Sequence, residues 1–151
     1  MFTVHAIDPA HLAGVRAAGT DVSGLPVERL TAEGGEPLRC CLRDAAAGEQ
    51  LILFGYEPKL PPSPYREIGA VFTHAEPCDG PGSTAYPAAW RGRPQVLRAY
   101  DANGRIHPAT RTHDGTAPET ELADILSDPA VTRVDSRNIA YGCFMFTVTR
   151  A

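Results

Sequence analysis

At 151 residues with 43% hydrophobic composition, the chain is long enough to bury a core unaided, and one domain over residues 1–151 is expected. Its net charge of −4 argues against a general nucleic-acid binder, which needs a basic face to displace counterions. The absence of any 18-residue apolar run argues against a membrane-spanning helix and a membrane partner.

Phe2 to Ile7 reads as a short strand. Asp8-Pro9 then starts a helix, with Asp as cap and Pro at the first helical position. Leu12 and Val15 form its apolar stripe, and Gly19 stops it. Pro37 to Leu42 reads as a strand, followed by a turn over Asp44 to Glu49. The nearly continuous apolar run from Gln50 to Tyr56 predicts a central strand covered on both faces. Residues 57–65 form a proline-stiffened loop, and Glu67 to His74 predicts a further strand.

A Pro-, Gly- and Ser-rich loop runs from Ala75 to about Pro87. Pro94 to Tyr100 is a strand, and Asp101-Ala-Asn-Gly104 is the clearest hairpin turn in the chain. Its return strand is expected from Arg105 towards Thr112. Thr116-Ala-Pro-Glu119 has capping-box spacing, Leu122, Ile125 and Leu126 mark one helix face, and Asp128-Pro129 ends it. Val131 to Asp135 and Cys143 to Thr149 are the last strands. The expectation is an α+β fold, a mainly antiparallel twisted sheet of about six to eight strands with two helices packed on it.

Four cysteines occur, Cys40, Cys41, Cys78 and Cys143. The N-terminus carries no basic, apolar leader, so a cytoplasmic, reducing setting and free thiols are expected. Cys40 and Cys41 would point to opposite faces if they lie on a strand. Thirteen of the 14 basic residues are Arg; the codon usage of a GC-rich genome accounts for this, although Arg forks also suit carboxylate and phosphate.

No nucleotide-binding glycine loop, C-x-x-C, H-E-x-x-H or G-x-S-x-G pattern is present. The cluster that stands out is His74-Ala-Glu-Pro-Cys78, where a strand runs into a long loop. His74 suits a general base, and Cys78 a nucleophile if a cation lowers its pKa. The same pair could share zinc or iron, with Cys41 or Cys143 supplied by the fold. It could equally be a packed histidine and a small buried thiol. His74 and Cys78 are taken as candidate catalytic residues, and no metal or cofactor is assigned.

Arg39, Cys41, Tyr65, Arg66, Arg98 and Asn138 are candidate ligand-binding residues. Arg98 sits mid-strand, where its charge needs either an acidic partner such as Glu67, Asp101 or Asp135, or an anionic ligand. Asn138 suits a tight connection equally well.

Several strings together resemble a known family: Arg39-Cys-Cys-Leu-Arg-Asp44 with Gly48-Glu49, Gly69-Ala-Val-Phe-Thr-His-Ala-Glu-Pro-Cys78, Leu97-Arg-Ala-Tyr100 and Gly142-Cys-Phe. They resemble the bacterial domain of unknown function 1203, from about residue 25 to 150. Family members often carry a cysteine just before the position of Arg39, where this chain has Leu38. The resemblance implies a compact single-domain bacterial protein and supplies no activity. Three readings stay open: a binding or catalytic pocket for a small anionic ligand, an interaction protein acting as a homodimer or with another chain, and a thiol-based redox or metal sensor.

Overall fold

Two five-stranded sheets organise the chain where a single larger one was expected. The structure is a computed structural model and describes residues 1–151. The first sheet has the order β1 (Phe2–His5), β10 (Phe144–Arg150), β9 (Arg133–Asn138), β7 (Gln95–Tyr100), β8 (Arg111–His113), antiparallel throughout. The second has the order β2 (Glu28–Thr31), β5 (Gln50–Tyr56), β6 (Gly69–His74), β3 (Pro37–Leu38), β4 (Arg43–Asp44). Only β3 and β6 run parallel, with Leu38 beside Phe72. The α+β class and the dominance of antiparallel pairing hold. No helix is long and apolar enough to cross a membrane.

The helices follow their local chemistry. In α1 (Pro9–Ala18) the Asp8 carboxylate accepts the Ala10 N–H at 2.9 Å, and Gly19 ends the helix in the left-handed conformation at φ 69°. Leu12 and Val15 turn inward to a core with Leu38, Leu51, Phe54 and Val71 of the second sheet. Helix α2 (Pro118–Ser127) buries Leu122, Ile125 and Leu126 in the core of the first sheet, with Leu97, Ala99, Val134, Phe146 and Val148. Trp90, fully buried in a single 3-10 turn, stacks on Phe146 at 5.9 Å.

Between the sheets lies a charged seam. Arg133 grips Asp135 through Nε at 2.7 Å and Nη2 at 3.1 Å, and the Thr147 hydroxyl donates to the same carboxylate. Glu67, just before β6, accepts from Arg98 at 2.5 Å and from Arg137 at 3.1 Å. Arg98 therefore has its acidic partner.

Four local expectations need correction. The strand beginning at Pro37 ends at Leu38; residues 39–42 turn, closed by Leu42 N–H donating to Leu38 C=O at 2.9 Å, with Leu42 at φ 58°. The Asp101–Gly104 turn forms, but beyond one bridge at Ile106 its return strand begins only at Arg111. Pro108, which lacks a ladder donor, lies in the gap. The capping box at Thr116 is absent: its hydroxyl donates to Asp114 at 2.7 Å, and Ala117 is the cap residue. The strand expected over residues 131–135 lies at Arg133–Asn138.

Candidate metal centre

Three segments meet at one end of the second sheet. The turn after β3 brings Cys40 and Cys41, the last residue of β6 brings His74, and the following loop brings Cys78. Because the chain turns at Arg39, the adjacent cysteines do not point to opposite faces; both reach the same point. Their two sulfurs, the Cys78 sulfur and a His74 ring nitrogen all lie within 4.8 Å of one another. Cys40 and Cys41 sulfurs are 4.0 Å apart, and His74 Nδ1 lies 3.5 Å from the first and 3.9 Å from the second.

The other face of the imidazole is also held. His74 Nε2 donates to the Glu49 carboxylate. This fixes the tautomer that leaves the Nδ1 lone pair facing the sulfurs. Register explains the contact: His74 pairs with Leu51 at the start of β5, so Glu49 lies just ahead of it. Arg43 also holds Glu49, with bonds of 3.0 and 3.2 Å, and its Nη2 lies 3.3 Å from His74 Nε2. Arg43 first, then His74, pull the Glu49 carboxyl down to about 2.

The sulfurs differ in their surroundings. Cys40 is 5% exposed and accepts the His74 backbone N–H at 3.3 Å. Its hydrogen bond to Cys41 and its burial push the Cys40 thiol up, while the same bond, aided by the Arg43 charge, pulls the Cys41 thiol down against burial. Burial pushes the Cys78 thiol up, opposed by the Gly80 amide. Cys41 also lines an open cavity of about 590 Å³ with Arg43, Gly80, Ser83, Tyr86 and Arg91. Cys78 is exposed at the surface.

The first 34 residues brace all three segments from behind. Val4 N–H donates to Thr84 C=O at 2.9 Å in the loop that follows Cys78. Ile7 N–H donates to Arg39 C=O at 3.1 Å, beside Cys40. The Arg16 guanidinium of α1 donates to the His74 carbonyl at 3.0 and 3.4 Å.

Of the residues singled out in the sequence, His74, Cys78 and Cys41 converge, and the others do not join them. Arg66 pairs with Glu57 before the far end of β6. The span of that six-residue strand, roughly 17 Å, separates its neighbourhood from His74. Tyr65 is an exposed loop residue beside it. Arg98 is taken up by Glu67. Asn138 ends β9 beside a groove with Pro37, Ile139 and Tyr141. Arg39, only 2% exposed, donates to the carbonyls of Phe144 at 2.7 Å and Pro37 at 2.6 Å. Burial pushes its guanidinium down to about 10, opposed by nearby Cys143 and Asp44. Cys143 is outside the cluster.

Cys40, Glu49, Arg43 and Arg16 escaped the sequence reading. The doubled cysteine was the available signal for Cys40, and the strand assignment hid it. Glu49 and Arg16 reach the site through tertiary pairing alone.

The chain belongs to the family described as protein of unknown function (DUF1203), whose model matches residues 35–150. That range contains Cys40, Cys41, Arg43, Glu49, His74 and Cys78. No curated protein and no solved structure matches the chain.

Proposed function

We propose that this member of the family is a metal-binding protein whose Cys40, Cys41, His74 and Cys78 hold one zinc-type ion. The convergence of three sulfurs and one imidazole nitrogen within 4.8 Å carries this reading. A tetrahedral zinc site places sulfurs roughly 3.8 Å apart and sulfur and nitrogen roughly 3.5 Å apart, from bond lengths of about 2.3 and 2.0 Å. The separations of 4.0, 3.5 and 3.9 Å are close to these values. Glu49 behind the imidazole supplies the usual outer partner of a metal-bound histidine. Thiolates favour zinc or ferrous iron over calcium or magnesium.

Four protein ligands leave no open coordination position, which fits a structural or sensing centre better than a hydrolytic one. Such an ion would tie the Cys40–Cys41 turn and the Cys78 loop to the end of β6. Elemental analysis of protein purified without chelator should find one zinc per chain, and cobalt substitution should give the visible bands of a tetrahedral thiolate. Protein that retains neither ion after desalting from an equimolar mixture contradicts the proposal.

A second reading has its own support. Cys41, His74 and Glu49 form a thiol–imidazole–carboxylate sequence beside the cavity, the order used by cysteine nucleophiles. In that case Arg43 and Arg91 would receive the anionic part of a ligand, and Cys41 rather than Cys78 would attack. Rapid alkylation of Cys41 in protein shown to be metal-free, abolished by His74→Ala, is its expected mark. One nucleophile leaves the other two converging sulfurs without a purpose, so the metal centre accounts for more of the geometry.

A further inference from the structure

We propose that Cys41 and Cys78 are a peroxide-oxidisable pair whose disulfide discharges the ion, an inference that rests on the metal-centre reading. Its basis is the unequal access to the three sulfurs. Cys40 forms the inner wall, buried and fixed by the His74 amide. Cys41 opens onto the cavity of about 590 Å³, and Cys78 is exposed at the surface. A small hydroperoxide entering the cavity reaches Cys41, where the Arg43 guanidinium stands beside the site of attack.

The Cys41 thiolate attacks the peroxide, forming an S–O bond as the O–O bond breaks; the departing alkoxide or hydroxide takes a proton. The Cys78 thiolate then attacks the Cys41 sulfur, forming S–S as S–O breaks, and the departing hydroxide takes a second proton. The two sulfurs together lose two electrons and the peroxide gains two, yielding an alcohol or water and a further water. Cys40 and His74 remain as the only donors, too few to retain the ion.

Distance alone does not choose the partner, since Cys40 is 4.0 Å from Cys41 and Cys78 lies within 4.8 Å of it. A disulfide is about 2.05 Å long, so either partner must move closer to Cys41 to bond it. Cys40 cannot do so without giving up the His74 amide and distorting the peptide it shares with Cys41. Cys78 shares no peptide with Cys41 and lies in an exposed loop, two residues before Gly80, where Gly80 and Gly82 adopt φ 76° and 71°.

The test starts from protein loaded with one equivalent of zinc. Elemental analysis before oxidation reads the metal centre itself, so its failure is separate from that of the switch. Hydrogen peroxide is then added, released zinc is followed with a chromogenic chelator, and the disulfides are mapped by peptide mass spectrometry. The expected result is release of the ion with loss of two thiols, a Cys41–Cys78 crosslink, and Cys40 and Cys143 still reduced. Cys78→Ser should instead accumulate a dimedone-reactive sulfenic acid at Cys41. A Cys40–Cys41 crosslink, first oxidation at Cys143, or zinc retained while free cysteine is oxidised under the same conditions would overturn the inference. The wild-type map decides even if the variant fails to fold.

Discussion

Glu49 holds the imidazole of the proposed centre without being one of its four donors. Removing the carboxylate behind a ligating histidine typically weakens metal affinity by roughly 10–100-fold, and Glu49→Gln should do so in competition with a chromogenic chelator. The metal-free variant should unfold within about 1 kcal/mol of the parent, because a half-exposed ion pair contributes little. Asp44 is a second residue whose charge matters. It accepts the Trp90 indole N–H at 2.9 Å and both Arg93 nitrogens at 3.1 and 2.6 Å. Burial pushes its carboxyl up, but Arg93 and Trp90 outweigh this and leave it below the ordinary 3.8. A depressed folded-state pKa gives stability that is complete above the unfolded value and lost as pH falls through the folded one. Urea titrations from neutrality to below pH 3.8 should show this loss in the parent, and Asp44→Asn should lack that part of the slope.

At the level of elements, legibility tracked how local the deciding interactions are. Helix α1 was readable because Asp8, Pro9 and Gly19 act within one turn of their own positions; Asp8→Ala should cost about 1 kcal/mol in chemical denaturation. Strand β5 was readable because Gln50–Tyr56 is apolar almost throughout. The turn at residues 39–42 was not. Arg39-Cys-Cys-Leu42 carries no Gly, Pro or Asn to mark a turn, and the contact that accompanies the bend is tertiary: Arg39 is buried against the Phe144 carbonyl, while Leu42 adopts a left-handed backbone. Thr116 had the right spacing for a cap, yet Asp114, two residues away, captured its hydroxyl. The sequence therefore showed three of the four convergent donors but misplaced the fourth by misreading one turn.

For the molecule as a whole, the division into two sheets was hidden because nothing in the strands' own patterns assigns a strand to one sheet or the other. Ion pairs run along the seam between them, where Glu67 before β6 meets Arg98 and Arg137 of the first sheet. Asp135 is fully buried, and burial drives its carboxyl upward against the pull of Arg133. Arg133→Met, which strands that carboxylate, should cost about 3–5 kcal/mol, while Asp135→Asn should cost less; equilibrium urea unfolding separates the two. Metal binding should also register globally. Zinc at 100 times its dissociation constant adds about 2.7 kcal/mol, or roughly 5–10 °C in Tm for a chain of this size. Calorimetry with and without chelator checks this, and superimposable scans would count against the centre.

The three hydrogen-bonded braces from Val4, Ile7 and Arg16 give the N-terminal segment a weight that its position outside the matched range 35–150 does not suggest. A chain trimmed to that range would keep every donor atom and lose the frame that aligns them. It would also bare the edge of β10 over Thr147–Arg150, which β1 covers. An uncovered strand edge invites another chain to pair with it, so the trimmed form would gain a tendency to self-associate while its grip on metal slackened.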